Sequence, residues 1–131
     1  MEKVHKSWGY EHWFANTSRY CGKLLFVHKG MWSSKGAYHY HKLKDETFFV
    51  IDGILQLDYV DYEGNDQIFK TIILNKYDSF KVPTQMKHRF TAISDGGCTF
   101  IEASTTHRDS DSYRCTYDVE SKEWVPYKSK Q

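Results

Sequence analysis

The sequence runs to 131 residues, 27% charged and 40% hydrophobic, which is enough to bury one core and too little for two, so a single soluble domain is expected. Its 18 Lys and Arg nearly cancel 17 Asp and Glu, and a formal net charge of +1 gives no basic field that would recommend nucleic acid as a partner. Cys21, Cys98 and Cys115 are odd in number and widely spaced, without a C-x-x-C, which argues against a disulfide framework or a cysteine zinc site.

A cytoplasmic setting is therefore expected. Met1-Glu2-Lys3-Val4-His5-Lys6 carries no leader-like apolar stretch, and apolar runs such as Phe48 to Ile51 are far too short to cross a bilayer, so no membrane is implied. Aromatic residues reach 17%, which favours strands over helices.

In chain order, residues 1–22 read as an N-terminal arm, rich in aromatics from Trp8 to Asn16. Short apolar clusters then alternate with Gly, Asn and Asp punctuation, and predict strands over 23–28, 37–41, 47–51, 54–62, 67–74, 79–82, 88–92 and 98–104. Asp52-Gly53, Glu63-Gly64-Asn65-Asp66 and Ser94-Asp95-Gly96-Gly97 carry turn chemistry and are expected to close three hairpins of an antiparallel sheet. Residues 105–131 are expected as a tail which, like the arm, packs outside the core of 23–104. A sheet of this kind closed into a barrel or sandwich hides its edges and keeps its interior for a ligand.

The histidines carry the strongest signal. On a strand, residues two apart share a face, so His39 and His41 can offer two imidazole nitrogens to one ion. Glu46 follows a short polar turn and begins the next apolar strand, and His88 begins another after Pro83. Taken singly, each has a plainer reading as a surface or core residue; together their spacings make a three-histidine, one-carboxylate metal site. Such a set suits manganese, iron, nickel, cobalt or zinc and leaves coordination positions open for substrate. His5, His12 and His28 have no comparable spacing and are given no role.

His39, His41, Glu46, Gly53, Pro83 and His88 together resemble the two motifs of the cupin superfamily. The resemblance covers roughly residues 23–103 and implies an all-β double-stranded β-helix, a jelly-roll barrel. Ser33 and Tyr77 stand where the two motifs usually begin with Gly, Gln85 replaces the Gly after Pro83, and Ala92 stands where Asn is common. Trp8 to Trp13, Tyr20 to Leu25 and Glu102 to His107 look like the sugar-isomerase-type cupins, the branch of the type II mannose-6-phosphate isomerase cupin domain and of D-lyxose isomerase. The run Asp109-Ser110-Asp111-Ser112-Tyr113-Arg114 resembles the acidic stretch ending in Arg that follows the last barrel strand there.

That branch implies a metal-dependent enzyme acting on a sugar or sugar phosphate, an aldose–ketose isomerase or epimerase working through an enediolate. Glu102, inward on the last core strand, is the first candidate for the proton-shuttling base. Lys23, Lys81 and His107 are alternatives, and Arg114 can hold a hydroxyl, carboxylate or phosphate in its planar fork. Glu102 paired with a neighbouring Lys or Arg, and Arg114 pinning the tail, are the structural alternatives. Trp13, Phe14, Tyr38, Tyr40, Phe48 and Phe90 are candidates to line the pocket, but Tyr38 and Tyr40 alternate with the histidines and should face away from the metal. Other functions compatible with the fold are an iron-dependent dioxygenase, a non-catalytic sugar-binding or regulatory module, and a storage-type structural protein. A homodimer is expected from the apolar, aromatic-rich strands.

Overall fold

Alternation along the strands decides which side chains turn inward, and the computed structural model, which describes residues 2–127, shows two sheets facing each other across those inward rows. Twelve strands are present among the described residues: β1 Glu2–Lys6, β2 Gly9–Asn16, β3 Cys21–Val27, β4 Tyr38–Tyr40, β5 Glu46–Asp52, β6 Leu55–Glu63, β7 Asp66–Leu74, β8 Ser79–Val82, β9 His88–Ala92, β10 Cys98–Ser104, β11 Tyr113–Asp118 and β12 Glu123–Pro126. One sheet runs β1-β2-β3-β10-β5-β8 and the other β12-β11-β4-β9-β6-β7, with every pairing antiparallel. Glu46, Phe48 and Val50 on β5, and Cys98, Phe100 and Glu102 on β10, face inward by the two-residue period. Leu25, Val27, Phe48, Val50, Leu55, Leu57, Phe90 and Phe100 fill the space between the sheets. Burying such side chains contributes about 1.5–3 kcal/mol each.

Among the described residues, no helix is long and apolar enough to cross a membrane. A turn with left-handed backbone at Ser33–Gly36 and a single turn of 3-10 helix at Asp109–Asp111 interrupt the strands.

The ends of the chain differ from the expected arm and tail. β1 and β2 continue the first sheet beyond β3, and β11 and β12 continue the second beyond β4. Residues 128–131 of the expected tail lie outside the described residues.

The three turns also divide differently. Only Glu63-Gly64-Asn65-Asp66 closes a hairpin, with Glu63 opposite Asp66. The turns at Asp52-Gly53 and Ser94 to Gly97 step from one sheet to the other, β5 to β6 and β9 to β10. Turn residues encode a reversal, whereas the sheet in which the next strand pairs is decided by long-range packing. The two corners are tied together by Ser94, whose Oγ accepts from the Ile54 N–H at 2.9 Å and donates to the Gly97 carbonyl at 2.6 Å. Gly53 sits in this knot at φ +84°, where a Cβ would lie 2.2 Å from the Gly97 carbonyl oxygen.

Tyr77 and Gln85, which occupy usual glycine positions of the cupin motifs, keep the left-handed backbone at φ +70° and +73°. The turns have retained their shape at a cost of about 1–2 kcal/mol per residue.

Candidate metal centre

His39 on β4, His41 just beyond it and His88 at the start of β9 hang from one sheet, and Glu46 at the start of β5 reaches across from the other. His39 and His88 are direct cross-strand partners, which puts both rings on the same face, with centroids 4.0 Å apart. One ligand atom from each of the four residues lies within 4.8 Å of the others. His88 Nε2 stands 3.0 Å from Glu46 Oε1, and His41 Nε2 stands 3.8 Å from Glu46 Oε2.

Protons are fixed on the far side of two rings. His41 Nδ1 donates to the Asp111 carbonyl and His88 Nδ1 donates to the Met86 carbonyl, each at 2.9 Å. A carbonyl oxygen only accepts, so each ring keeps a proton on Nδ1 and turns Nε2 toward Glu46. Burial pushes His41 down to about 4, although the Glu46 carboxylate opposes this, and burial with the two neighbouring imidazoles holds His39 well below its ordinary value.

His39 Nδ1, His88 Nε2 and both Glu46 oxygens are buried without a hydrogen-bond partner. A divalent cation would satisfy these buried nitrogen and carboxylate donors together. The donor set therefore fits a metal ion, and three nitrogens with one oxygen suit manganese, iron, cobalt, nickel or zinc.

Around this cluster lies a ring of charged side chains built on Lys44. Its buried Nζ donates to Glu102 Oε2 at 3.0 Å and to His107 Nδ1 at 3.0 Å, and lies 3.1 Å from Glu46 Oε2. An ammonium has only donors, so His107 Nδ1 accepts and its Nε2–H donates to Asp109 Oδ1 at 2.9 Å. Burial opposes the ammonium form, but Glu102 and Glu46 more than offset it and Lys44 is held above its ordinary value. Burial pushes the Glu102 carboxyl up, and the nearby Glu46 charge adds to this, against the pull of Lys44. For Glu46 itself burial acts upward, yet His88 and Lys44 prevail and hold it below the usual carboxylate range.

The turn carrying Lys44 is fastened by Asp111. Its carboxylate accepts from the N–H groups of Lys42 at 2.9 Å, Leu43 at 3.1 Å and Lys44 at 2.9 Å, while its carbonyl orients His41. One residue of the acidic stretch thus sets both a ligand and the bridging lysine.

Sequence expectations meet the structure unevenly. Glu102, Lys23, His107 and Arg114 line a cavity of about 500 Å³ that opens onto the cluster, together with Trp13 and Phe48. Lys23 is buried, with its ammonium 4.2 Å from the Trp13 ring centroid and 3.5 Å from Glu11 Oε1. Arg114 is the cross-strand partner of His39 and stands on its face, at the exposed mouth. Lys81 is not part of the site: its side chain is 65% exposed on the outer face of edge strand β8, 3.6 Å from Asp45. Phe14 is exposed and lies over Gly22, and Tyr38 packs with Trp124 and Tyr40 on Tyr113, away from the cavity as their alternation requires.

Two site residues, Lys44 and Asp111, have no role in the sequence reading, although Asp111 lies within the acidic stretch noted there. Lys44 lies in the polar turn before Glu46, outside any strand, so the two-residue period that paired His39 with His41 does not reach it. No local signal marks Asp111, whose partners are 67 to 70 residues away.

Two antiparallel sheets enclosing three inward histidines and a glutamate define a jelly roll with a candidate metal site. The family described as Cupin domain matches residues 27–104, and the chain belongs to it. Among solved structures, the chain is similar to CapF of Staphylococcus aureus, a capsular polysaccharide assembling protein, with a TM-score of 0.72 at 19% identity over 86% of this chain and 31% of that one. It is similar to KdgF of Halomonas sp., with a TM-score of 0.66 at 17% identity over 84% and 92%. Oxalate decarboxylase of Bacillus subtilis, described with Mn(II) centers, gives 0.65 at 20% identity over 82% and 28%. At these identities the likeness is one of fold, and the chain spans about a third or less of CapF and of the decarboxylase. No curated protein matches the chain.

Proposed function

We propose that this cupin is a cytoplasmic, metal-dependent enzyme acting on a sugar or sugar phosphate, as an aldose–ketose isomerase or an epimerase. The observation that carries the reading is Glu102, a buried carboxyl with a raised titration point, sharing one cavity with the three-histidine, one-glutamate cluster. The cavity falls in the size range of small-ligand sites, and its lining mixes aromatic faces with convergent polar groups. The fold likeness to CapF, a capsular polysaccharide assembling protein, fits a carbohydrate ligand.

His39, His41, Glu46 and His88 would hold the ion. A bound divalent cation supplies Lewis acidity toward adjacent carbonyl and hydroxyl oxygens. Glu102 takes the proton from the carbon beside the carbonyl and returns it to the former carbonyl carbon, while the substrate hydroxyl proton passes to the former carbonyl oxygen by way of water. In an epimerase the proton for the opposite face comes from a second donor, for which Lys23 and His107 line the same cavity. A carboxyl raised by burial is better matched to that transfer at neutral pH than an exposed one. Lys44 holds Glu102 Oε2 in place, Ser104 Oγ donates to the same oxygen at 3.2 Å, and His107, braced by Asp109, holds the ammonium from the other side. Trp13 offers an aromatic face to the sugar ring, and Arg114 closes on the substrate at the mouth.

The test is solvent-hydrogen exchange. Metal-loaded protein incubated in D₂O with aldoses, ketoses and their phosphates is expected to place deuterium on the carbon next to the carbonyl, read by NMR. Glu102→Gln should keep its metal and lose exchange by about 10²–10⁴-fold. No exchange with any of these substrates, or undiminished exchange in Glu102→Gln, refutes the reading.

A further inference from the structure

Beside the metal-facing cavity lies a second one of about 260 Å³, and five residues, Arg114 among them, line both. Its walls carry Lys6, Lys35, Arg114 and His5, with the hydroxyls of Ser7 and Ser34, and no Asp or Glu among the described residues lines it. These groups come from parts of the chain that are distant in sequence: the end of β1 and the turn after it, the Ser33–Gly36 turn, and β11. In a chain whose net charge is +1, such a concentration of cations is a local construction.

The cations are also uncommitted. Lys29, Lys70 and Lys81 each face an aspartate, whereas Lys6, Lys35 and Arg114 make no ion pair among the described residues. Ser34 and Lys35 are held at φ +50° and +54°, a backbone conformation that side chains other than Gly rarely adopt. The turn is clamped in that shape by Arg89 Nη1 donating to the Gly36 carbonyl at 2.9 Å and by the Ala37 N–H donating to the Ser34 carbonyl at 3.1 Å.

We infer that this second cavity is an anion subsite, and that it receives the carboxylate or phosphate of an acidic sugar whose other end faces the histidine cluster. Arg114 joins the two regions: it stands opposite His39 across the β4–β11 ladder and lines both cavities. Its guanidinium fork accepts a carboxylate or phosphate edge, with Lys6 and Lys35 as point charges and the serines as neutral donors. A neutral sugar would leave these cations uncompensated, so the subsite selects for acidic sugars. The assignment of the sugar rests on the function proposed above, whereas the capacity to bind an anion does not.

The experiment is calorimetric titration of metal-loaded protein at low ionic strength with inorganic phosphate, glucose 6-phosphate, glucuronate and glucose. The same titrations are run on the Lys6→Gln, Lys35→Asn double variant, in which Asn tolerates the left-handed backbone. Wild type is expected to bind at least one of the two acidic sugars tenfold or more tightly than glucose, with affinity falling as salt rises. The double variant should lose that preference while keeping metal content and melting temperature. Which acidic sugar gains shows whether phosphate or carboxylate is the ligand. Equal affinity for acidic and neutral sugars with no phosphate binding, or an undiminished preference in the double variant, overturns the subsite. Phosphate binding that the variant abolishes, with no gain for either acidic sugar, upholds the anion site and refutes the sugar reading.

Discussion

Replacing Asp111 with Ala removes the acceptor from three consecutive backbone N–H groups, those of Lys42, Leu43 and Lys44. The Lys44 N–H is buried and has no water to turn to, so its loss costs about 1–3 kcal/mol; the other two are half-buried, and each loses about 0.5–1 kcal/mol. The variant should therefore be less stable by about 2–5 kcal/mol. For a chain of this length that is a fall of roughly 10 °C in melting temperature, read by circular dichroism on chelator-treated protein at pH 7. Burial pushes the Asp111 carboxyl up, but the three N–H donors prevail and hold it below its ordinary value. Its contribution is thus present above the unfolded carboxylate value of about 3.9 and is lost as pH falls through the lower folded value, so the gap between wild type and variant should narrow in strong acid. A variant that melts within 1 °C of wild type at pH 7 refutes the claim that Asp111 fastens this turn.

His41→Ala should abolish stoichiometric metal, measured by elemental analysis of protein purified without chelator; full metal content in the variant removes His41 from the ligand set. Metal-free wild type should lose stability as pH falls from about 6.5 to about 4, because His41 takes up a proton in that window when unfolded but stays neutral in the fold. A flat melting profile across that window contradicts the buried neutral ring. Gly53→Ala should cost about 3 kcal/mol, combining a left-handed Ala with a Cβ pressed against the Gly97 carbonyl, which is backbone and cannot swing aside. Unchanged urea unfolding in that variant breaks the account of the two tied corners.

Strand positions 47–51, 79–82, 88–92 and 98–104 were legible because alternation of apolar and polar residues is a local property, and each matches an observed strand to within a residue or two. The same two-residue period put His39 and His41 on one face and turned Glu102 inward with Phe100. Turn chemistry at Asp52-Gly53 and Ser94 to Gly97 was equally local, yet it did not say that both corners cross between sheets. Nor did it say that the ends of the chain, β1, β2, β11 and β12, add strands to those sheets: β1 and β12 have no buried residue and β2 and β11 bury only Gly9, Glu11 and Cys115, so no apolar row marks them. Lys44 and Lys81 show where the limit falls. Both are lysines near candidate ligands in a β-rich segment, and nothing in their immediate neighbours separates a buried ammonium bridging two glutamates from one 65% exposed on an edge strand. A residue's periodicity is carried by its neighbours in sequence, so the sequence by itself determined the class of fold and pointed to the four residues of the candidate metal site. Burial, charge pairing and cavity walls depend on segments as far apart in the chain as Lys6 and Arg114, and only their packing decided that Asp111 fastens Lys44, that Lys44 bridges Glu46 and Glu102, and that three uncommitted cations gather beside the cavity.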